Sequence, residues 1–371
     1  MTRGVSALLC TVSLALLAAC ASRHGPGAPV TPSAETPIAE SGAGRAYDIA
    51  LWSGGETTLA GVRTTAFMVM SNAGGLDVRN LDGALLQHIG DRFLGDIDIA
   101  RVPTAESHFT VLGSSYRASR ARGVVLFRFD NVAGGEFRRW GAIATDIDRP
   151  TGFCMRQRRG VVNAVVTGAD GEVRVYSVAE DADGAMDARE LHRFQLGSRA
   201  GGCAMDTAHE RLYVMEERRG LWRYPLDPGS PEPAVLVQAV DGARLTAPVG
   251  GVAVLDDRGR YLVVSSRGDS SIAVWNISWE PEWLGRFIVR AGPAGDEVTG
   301  TTGLDAYGGD FGAMLSGVVA LQDSVNDGGQ NFKLIDWREI RVALGHDESA
   351  SPALIPQDPA NIPPSAPSGS D

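Results

Sequence analysis

The chain has 371 residues, of which 44% are hydrophobic and 21% are charged, and its formal net charge is −11. This length and composition are those of a soluble globular protein with a sizeable core, and they exclude a disordered chain. The negative balance excludes a general nucleic-acid-binding surface, because such surfaces are basic.

The amino-terminal sequence has the pattern of an export signal. Residues 5–19 are apolar, but this segment is too short to span a bilayer, so residues 1–19 are predicted to be a signal peptide. The sequence "LAAC" (Leu17–Cys20) resembles a bacterial lipobox, which implies cleavage before Cys20 and lipidation of that cysteine. Ala21 favours the outer membrane. We therefore expect an exported lipoprotein of the bacterial cell envelope; the alternative is ordinary secretion with a chance cysteine.

Two segments of biased composition flank the rest of the chain. Residues 20–45 are rich in Pro, Ala, Ser and Gly, which predicts a flexible tether after the lipidated cysteine. Residues 347–371 are Pro-rich and are predicted to be disordered. One folded domain is expected between them, over residues 46–346.

Short glycine-bearing strand starts recur through this domain at intervals of 48 to 56 residues. They are "YDIAL" at Tyr47, "GDIDI" at Gly95, "TGFCM" at Thr151, "GGCAM" at Gly201, "GGVAV" at Gly250 and "TGLDA" at Thr302. Each is followed by an apolar strand, a polar turn and a second strand, as in "RLYVMEERRGLWRYPL" (Arg211–Leu226). Six such units, with about four strands each, predict an all-β fold, a six-bladed β-propeller.

In a propeller the glycine-bearing starts are the innermost strands, next to the central channel. The turns after each second strand then meet on one rim, around a channel mouth that is the usual place for binding or catalysis. Helical periodicity is nearly absent, and one short helix is predicted over Asp336–Leu344.

Cys154 and Cys203 occupy equivalent positions in successive strand starts. Innermost strands of adjacent blades are neighbours, and export permits oxidation, so the two cysteines can form a disulfide. The alternative is a pair of buried free thiols.

Several segments resemble the β-propeller phytases, in order, over residues 46–346. They include "GDIDIA", "TGADGE", "GGCAMDTAHERLYVMEE" and the carboxyl-terminal "QNFKLIDW". The resemblance implies several Ca²⁺ ions at one mouth, which are held by carboxylates and which bridge to substrate phosphates. It implies a phosphoric monoester hydrolase of the 3-phytase type, in which a metal-bound water attacks phytate (myo-inositol hexakisphosphate).

The resemblance also implies roles for individual residues. Those matched to catalytic positions are Glu217, Arg117 and Asp170. Those matched to metal-binding positions are Asp48, Glu217, Asp296, Asp323, Gln330 and Asn331.

Other positions depart from the family pattern. Ala169 stands where the family has Lys and Thr151 where it has Tyr, while four acids are replaced by Gly201, Pro248, Gly250 and Thr302. Each lost carboxylate removes a metal ligand, so a weaker metal cluster is expected. The alternative function is a catalytically degenerate propeller that binds an anionic ligand or an envelope partner.

Arginines are frequent in the predicted rim turns, and arginine binds phosphate or carboxylate without a metal. The candidates are Arg156, Arg158, Arg159, Arg218, Arg219 and Arg267. The alternative is that most of them point to solvent.

Overall fold

The computed structural model describes residues 25–39, 44–104, 107–119, 122–131, 135–158, 160–326 and 328–346. The predicted signal peptide (1–19), the predicted lipidation site Cys20 and the predicted disordered tail (347–371) lie outside the described residues. No helix in the described part of the chain is long and apolar enough to cross a membrane.

Six antiparallel sheets form a ring around a central channel, and two short strands, β1 (Ala28–Val30) and β2 (Ala34–Glu35), precede them. From the channel outward, blade 1 contains β3 (Ala46–Leu59), β4 (Val62–Asn72), β5 (Gly75–Asn80) and β6 (Leu85–Gly90). Blade 2 contains β7 (Leu94–Pro103), β8 (His108–Tyr116), β9 (Gly123–Phe129) and β10 (Arg138–Ala144). Blade 3 contains β11 (Pro150–Arg158), β12 (Val161–Gly168), β13 (Glu172–Glu180) and β14 (Met186–Gln195).

The second half of the ring repeats this plan. Blade 4 contains β15 (Ala200–Asp206), β16 (Arg211–Glu216), β17 (Gly220–Pro225) and β18 (Val235–Ala239). Blade 5 contains β19 (Val252–Asp256), β20 (Arg260–Ser266), β21 (Ser271–Asn276) and β22 (Glu282–Val289). Blade 6 contains β23 (Leu304–Tyr307), β24 (Val318–Asp323) and β25 (Asn331–Asp336), and β2 is its fourth strand. The prediction of a six-bladed propeller with about four strands per blade is confirmed.

Burial falls from the inner and middle strands of a blade to its outer edge. In β12 every residue after Val161 is buried, because neighbouring blades cover both faces of the sheet. The outer strand β14 instead alternates half-buried and exposed positions, since its outward face meets water. The blade contacts are made by aliphatic side chains such as Val165, Val175 and Leu212, all with no exposed surface. Each such side chain contributes about 1.5–3 kcal/mol of hydrophobic free energy.

The amino-terminal segment closes the ring, which differs from the flexible tether predicted there. Strand β2 pairs antiparallel with β25 (Glu35 opposite Lys333), and β1 adds in parallel to β22, so that blade 5 has five strands. Without these strands, the outer edges of β22 and β25 would carry unpaired N–H and C=O groups. Pro29 is compatible with this arrangement because β1 is itself an edge strand, where one N–H group is dispensable.

The structure joins Cys154, on β11, to Cys203, on β15, by a disulfide with a Cα–Cα distance of 5.6 Å. The bond connects the innermost strands of blades 3 and 4, which is the first of the two alternatives for these cysteines. Both residues are buried, so the bridge is part of the channel wall.

The predicted terminal helix is confirmed as α1 (Trp337–Ala343). Its amino-terminal cap is Asp336, whose side chain accepts a hydrogen bond from the Arg338 N–H at 2.8 Å. Trp337 and Ile340 are fully buried against the core shared by blades 5 and 6. The helix therefore follows the closed ring directly and packs onto its outer side.

Candidate active site at the propeller mouth

A cavity of about 390 Å³ lies at the end of the channel where the inner strands begin. Its wall contains residues from all six glycine-bearing starts. Four of these starts carry an irregularity in their pairing to the next strand, between Ala46 and Asp48, Leu94 and Ile97, Pro150 and Gly152, and Ala200 and Cys203. Such bulges redirect side chains at the point where they occur, and here that point is the mouth.

Four inner-strand aspartates line this cavity: Asp48, Asp96, Asp98 and Asp305. Three of them each accept a hydrogen bond from a backbone N–H of the next blade. The donors are Ile97 to Asp48 (2.9 Å), Met155 to Asp98 (2.8 Å) and Leu51 to Asp305 (2.8 Å). These carboxylates therefore connect blades as well as lining the channel.

The aspartates are held in an environment that disfavours their charge. Burial raises the pKa of Asp48 well above its ordinary range, and the neighbouring charge of Asp96 raises it further. Burial likewise raises the pKa of Asp305 to about 6, with a further contribution from the charge of Asp98. The two carboxyl groups at Asp48 and Asp96 thus form an electrostatically coupled pair at the mouth.

Arginines balance these acids. Five of them line the cavity: Arg117, Arg149, Arg156, Arg199 and Arg267. They face five carboxylates there, the four aspartates and Glu217. The wall therefore has no net negative charge, in contrast to the acidic mouth that the resemblance implies.

The predicted catalytic residue Arg117 lies in this wall at the end of β8. It donates a hydrogen bond to the Leu94 carbonyl at 3.1 Å, and its guanidinium lies 4.9 Å from the centre of the Tyr47 ring. Glycine at position 95 leaves space for it, because a Cβ atom there would lie 2.9 Å from an Arg117 Nη atom. The guanidinium group of Arg117 is thus held in place at the cavity wall by Leu94 and Tyr47.

Glu217 is the second predicted catalytic residue that lies at the mouth. It follows β16, in the turn before β17. Its side chain is 30% exposed, and its Oε2 atom lies 3.8 Å from Arg199 Nε. Asp170 is different: its side chain is exposed in the turn after β12 and accepts a hydrogen bond from the Glu172 N–H at 3.2 Å. It is not part of the cavity wall, since it caps its own turn.

The other predicted arginines are distributed unevenly. Arg156 and Arg267 line the mouth. Arg158 forms an ion pair with Glu210, Arg219 pairs with Glu216, and Arg218 is exposed outside the cavity wall. Arg159 lies outside the described residues. Of the arginines predicted from the sequence, two therefore line the mouth, and the prediction missed Arg149 and Arg199.

Positions that depart from the family pattern also reach the mouth. Gly201, Gly250, Thr302 and Thr151 are in the cavity wall. Thr302 donates a hydrogen bond to Gln322 Oε1 at 3.0 Å, and Thr151 donates one to the Ala200 carbonyl at 2.6 Å. The two threonine hydroxyl groups are thus used in hydrogen bonds to neighbouring strands. None of the four residues carries a carboxylate.

The remaining predicted metal ligands lie elsewhere, in a group that we call the ring closure: Glu35, Asp296, Asp323, Asn326, Asn331 and Lys333. The Lys333 ammonium, fully buried, donates to Glu35 (2.7 Å), Asn331 (2.9 Å) and Asn326 (3.0 Å) and pairs with Asp296. Gln330 lies beside this group and accepts a hydrogen bond from the Ala46 N–H at 3.0 Å. Glu35, Asn326 and Lys333 were not predicted, because β2 was not.

The ring closure carries more negative than positive charge. Three carboxylates surround one ammonium, and Asp323 Oδ2, which is fully buried, has no hydrogen-bond partner among the described residues. Two unbalanced negative charges and an unpaired carboxylate oxygen are the chemistry that a divalent oxygen-seeking cation requires. The ring closure therefore has the excess negative charge that Ca²⁺ would neutralise, but its acids converge on Lys333 and do not form a metal-binding group among the described residues.

The mouth does not fit the cluster of metals that the resemblance implies. Throughout the described residues, no three His, Cys, Asp or Glu side chains converge in metal-binding geometry. The five carboxylates of the cavity wall are accompanied by five arginines, so they do not form a purely acidic site. No step of the chemistry below is therefore assigned to metal at the mouth.

Comparison with known proteins identifies the family. The family model for Phytase matches residues 1–358, which is nearly the whole chain. The chain belongs to the phytase family. A curated relative, the 3-phytase of Bacillus subtilis (strain 168), is 26% identical over 331 residues, which cover 85% of each protein. The resemblance noted from the sequence is thus confirmed, and this chain is a phytase-like propeller.

Two solved structures that align with the chain carry no weight in this assignment. The structure of "BBS1N in complex with ARL6DN" aligns with a TM-score of 0.44 at 12% identity and covers 74% of this chain and 75% of that chain. The "Structure of U3-55K" gives 0.43 at 11% identity, covering 74% and 77%. Both scores are below the level at which a likeness would support an argument.

Proposed function

We propose that the mouth binds phytate, or a related phosphorylated small molecule, and hydrolyses one of its phosphomonoesters in the manner of a 3-phytase. Membership of the phytase family supports the reaction class. The observation that carries the proposal is the cavity wall, where Arg117 and Glu217 lie together with four further arginines. Guanidinium groups bind phosphate oxygens in pairs, which suits a substrate with many phosphates.

The residues of the chain suggest a division of roles. Arg117 binds and orients a phosphate, since its guanidinium group is held in position by Leu94 and Tyr47 and uses one of its N–H donors there. Glu217 accepts a proton from a water molecule whose oxygen bonds to phosphorus. The bond from phosphorus to the inositol oxygen breaks, and that oxygen takes a proton from Asp48, whose raised pKa favours the protonated form. The products are inorganic phosphate and an inositol with one phosphate fewer.

Calcium belongs to this proposal at the ring closure. There the ion would have to compete with the Lys333 ammonium for Glu35, Asp296 and Asp323, and its charge would neutralise the excess negative charge. The ion would connect the amino-terminal strand to blade 6. Its expected effect is on stability rather than on the chemical step.

The test is phosphate release from phytate by the purified full-length protein, in millimolar Ca²⁺ and in excess chelator. We expect release in both conditions from protein that stays folded, and a loss of at least 100-fold in Glu217→Gln. The matched control is Arg218→Gln, which changes an exposed residue of the same turn and should leave the rate unchanged. Absence of release from folded protein in both conditions would contradict hydrolysis.

A second function is favoured by a specific observation, namely that Gly201, Gly250 and Thr302 stand in the wall where acids are expected. In this reading the propeller binds phytate or another anion, or an envelope partner, without hydrolysis. Calorimetric binding of phytate with no phosphate release would support it over the first function.

We propose that the protein is an outer-membrane lipoprotein anchored through Cys20, on the basis of the lipobox resemblance alone. Membrane fractionation of wild type and Cys20→Ser tests this. Wild type in the membrane fraction and the variant in the soluble fraction is the expected result.

A further inference from the structure

We propose that Arg117 and Arg199 form a phosphate clamp that works without metal, and that Asp96 is the resting counter-ion which an incoming phosphate displaces. This inference rests on the proposed function only in taking the mouth to be the phosphate site. It assigns a binding role to Arg199 and Asp96, which neither the family match nor the sequence resemblance singles out.

The two arginines come from blades on either side of blade 3. Arg117 ends the second strand of blade 2, and Arg199 precedes the innermost strand of blade 4. Asp96 lies at the start of blade 2; burial raises the pKa of its carboxyl group, and the nearby charges of Arg117 and Arg199 oppose that rise. All three line the same cavity. One carboxylate thus lies within the field of two arginines that belong to different blades.

Both guanidinium groups keep donors for a ligand. A guanidinium has five N–H groups. Within the described residues, Arg117 makes one hydrogen bond, to the Leu94 carbonyl, and Arg199 makes only the 3.8 Å ion pair with Glu217. The Arg199 side chain is 39% exposed, so it is accessible from the mouth. The pair is therefore anchored but far from saturated.

Asp96 is weakly held for a buried carboxylate. Its Oδ2 atom accepts one long hydrogen bond, from Ser115 Oγ at 3.4 Å, and it is repelled by the neighbouring Asp48. A phosphate offers more oxygens and more charge to the same two arginines. Phosphate and Asp96 therefore compete for the clamp, and removing the charge of Asp96 should strengthen anion binding. A metal-bridged site makes the opposite prediction, because there Asp96 would be a ligand.

The glycines of the wall support a site without metal. Gly201 and Gly250 stand on the side of the cavity opposite the acids of blades 1 and 2, and they contribute no charge. A bridging metal would have few ligands on that side. Arg199, two residues before Gly201 in the chain, supplies positive charge there directly.

The experiment is calorimetric titration of phytate into the full-length protein in excess chelator. We expect binding by wild type, a 10- to 100-fold loss in Arg199→Gln, and a gain of about 3- to 10-fold in Asp96→Asn. Arg199→Lys keeps the charge but loses the planar fork, so it should fall between Arg199→Gln and wild type. The control Arg218→Gln should bind like wild type. Thermal unfolding of each variant verifies that it is folded.

The opposing results are distinct. Weaker binding in Asp96→Asn, or binding by wild type that appears only with Ca²⁺, would overturn the clamp and favour a bridging metal. Binding that Arg199→Gln leaves unchanged would overturn the clamp but leave the proposed function standing. If wild type neither binds phytate nor releases phosphate with or without Ca²⁺, the proposed function fails together with the clamp.

Discussion

The mouth and the ring closure are two charged regions of one propeller, and they differ in how their charges are balanced. At the ring closure three carboxylates surround one buried ammonium, so the region has an excess of negative charge. At the mouth five arginines face five carboxylates, so the charges balance. The comparison indicates that a cation is favoured at the ring closure, whereas the mouth can also receive an anion.

The largest effect is expected from breaking the ring closure at Lys333. In Lys333→Met the carboxylates of Glu35, Asp296 and Asp323 lose their counter-ion, so we expect a loss of about 4 kcal/mol in the free energy of unfolding, measured in urea. Because Ca²⁺ would then supply the missing charge, millimolar Ca²⁺ should restore part of the loss. A change below about 1 kcal/mol would show that Lys333 does not offset a large repulsion among these three carboxylates.

The second effect concerns the wall of the mouth. Replacing both Cys154 and Cys203 by Ala removes a crosslink that spans 49 residues, for which we expect a loss of about 3 kcal/mol. Unlike the loss in Lys333→Met, this one should not respond to Ca²⁺. Urea unfolding of the double variant with and without Ca²⁺ measures both points, and a calcium-dependent loss would contradict the separation of the two regions.

The third effect depends on pH. The pKa of Asp305 is raised to about 6, so folding is opposed by its ionisation, and the associated stability is present at low pH and lost as pH rises through about 6. Asp305→Asn should therefore stabilise the protein at pH 8 by about 2 kcal/mol, after allowance for a weakened hydrogen bond from Leu51. At pH 4 the gain should vanish. An equal effect at both pH values would rule out a titrating Asp305.

The smallest effect tests whether packing excludes acids from the mouth. A Cβ atom at Gly201 would lie no closer than 3.7 Å to its neighbours, whereas one at Gly250 would lie 2.6 Å from the Thr301 carbonyl. We expect Gly201→Glu to change the free energy of unfolding by less than about 1 kcal/mol and Gly250→Glu to cost more than about 2 kcal/mol. Thermal unfolding of the two variants makes the comparison, and equal losses would contradict it.

The propeller could be predicted because the same pattern, a glycine-bearing strand start followed by a hairpin, occurs six times in the sequence. The strands β1 and β2 before the domain could not be predicted, because a segment rich in proline and serine is compatible with an edge strand as well as with a linker. Residues 28–35 have no alternating pattern, and they form strands only because β22 and β25 present open edges.

At the mouth, Asp48, Arg117 and Glu217 could be predicted from matched motifs, since rim turns and strand starts meet there. Asp170 could not be distinguished from them, because a turn residue can cap its own backbone instead of facing the channel. Asp96 and Arg199 were missed for a physical reason. Both adjoin the pairing irregularities of β7 and β15, and at such a bulge the alternation of a strand no longer tells which way a side chain points.

Strand β2 also bears on the order in which the protein folds. Glu35 and Lys333 meet across 298 positions of the chain, and loops of that length close slowly. We therefore expect strand β2 to dock last, after blade 6 has formed. Until then the last blade has an unpaired outer edge, which is the form of the protein most open to association with a second chain.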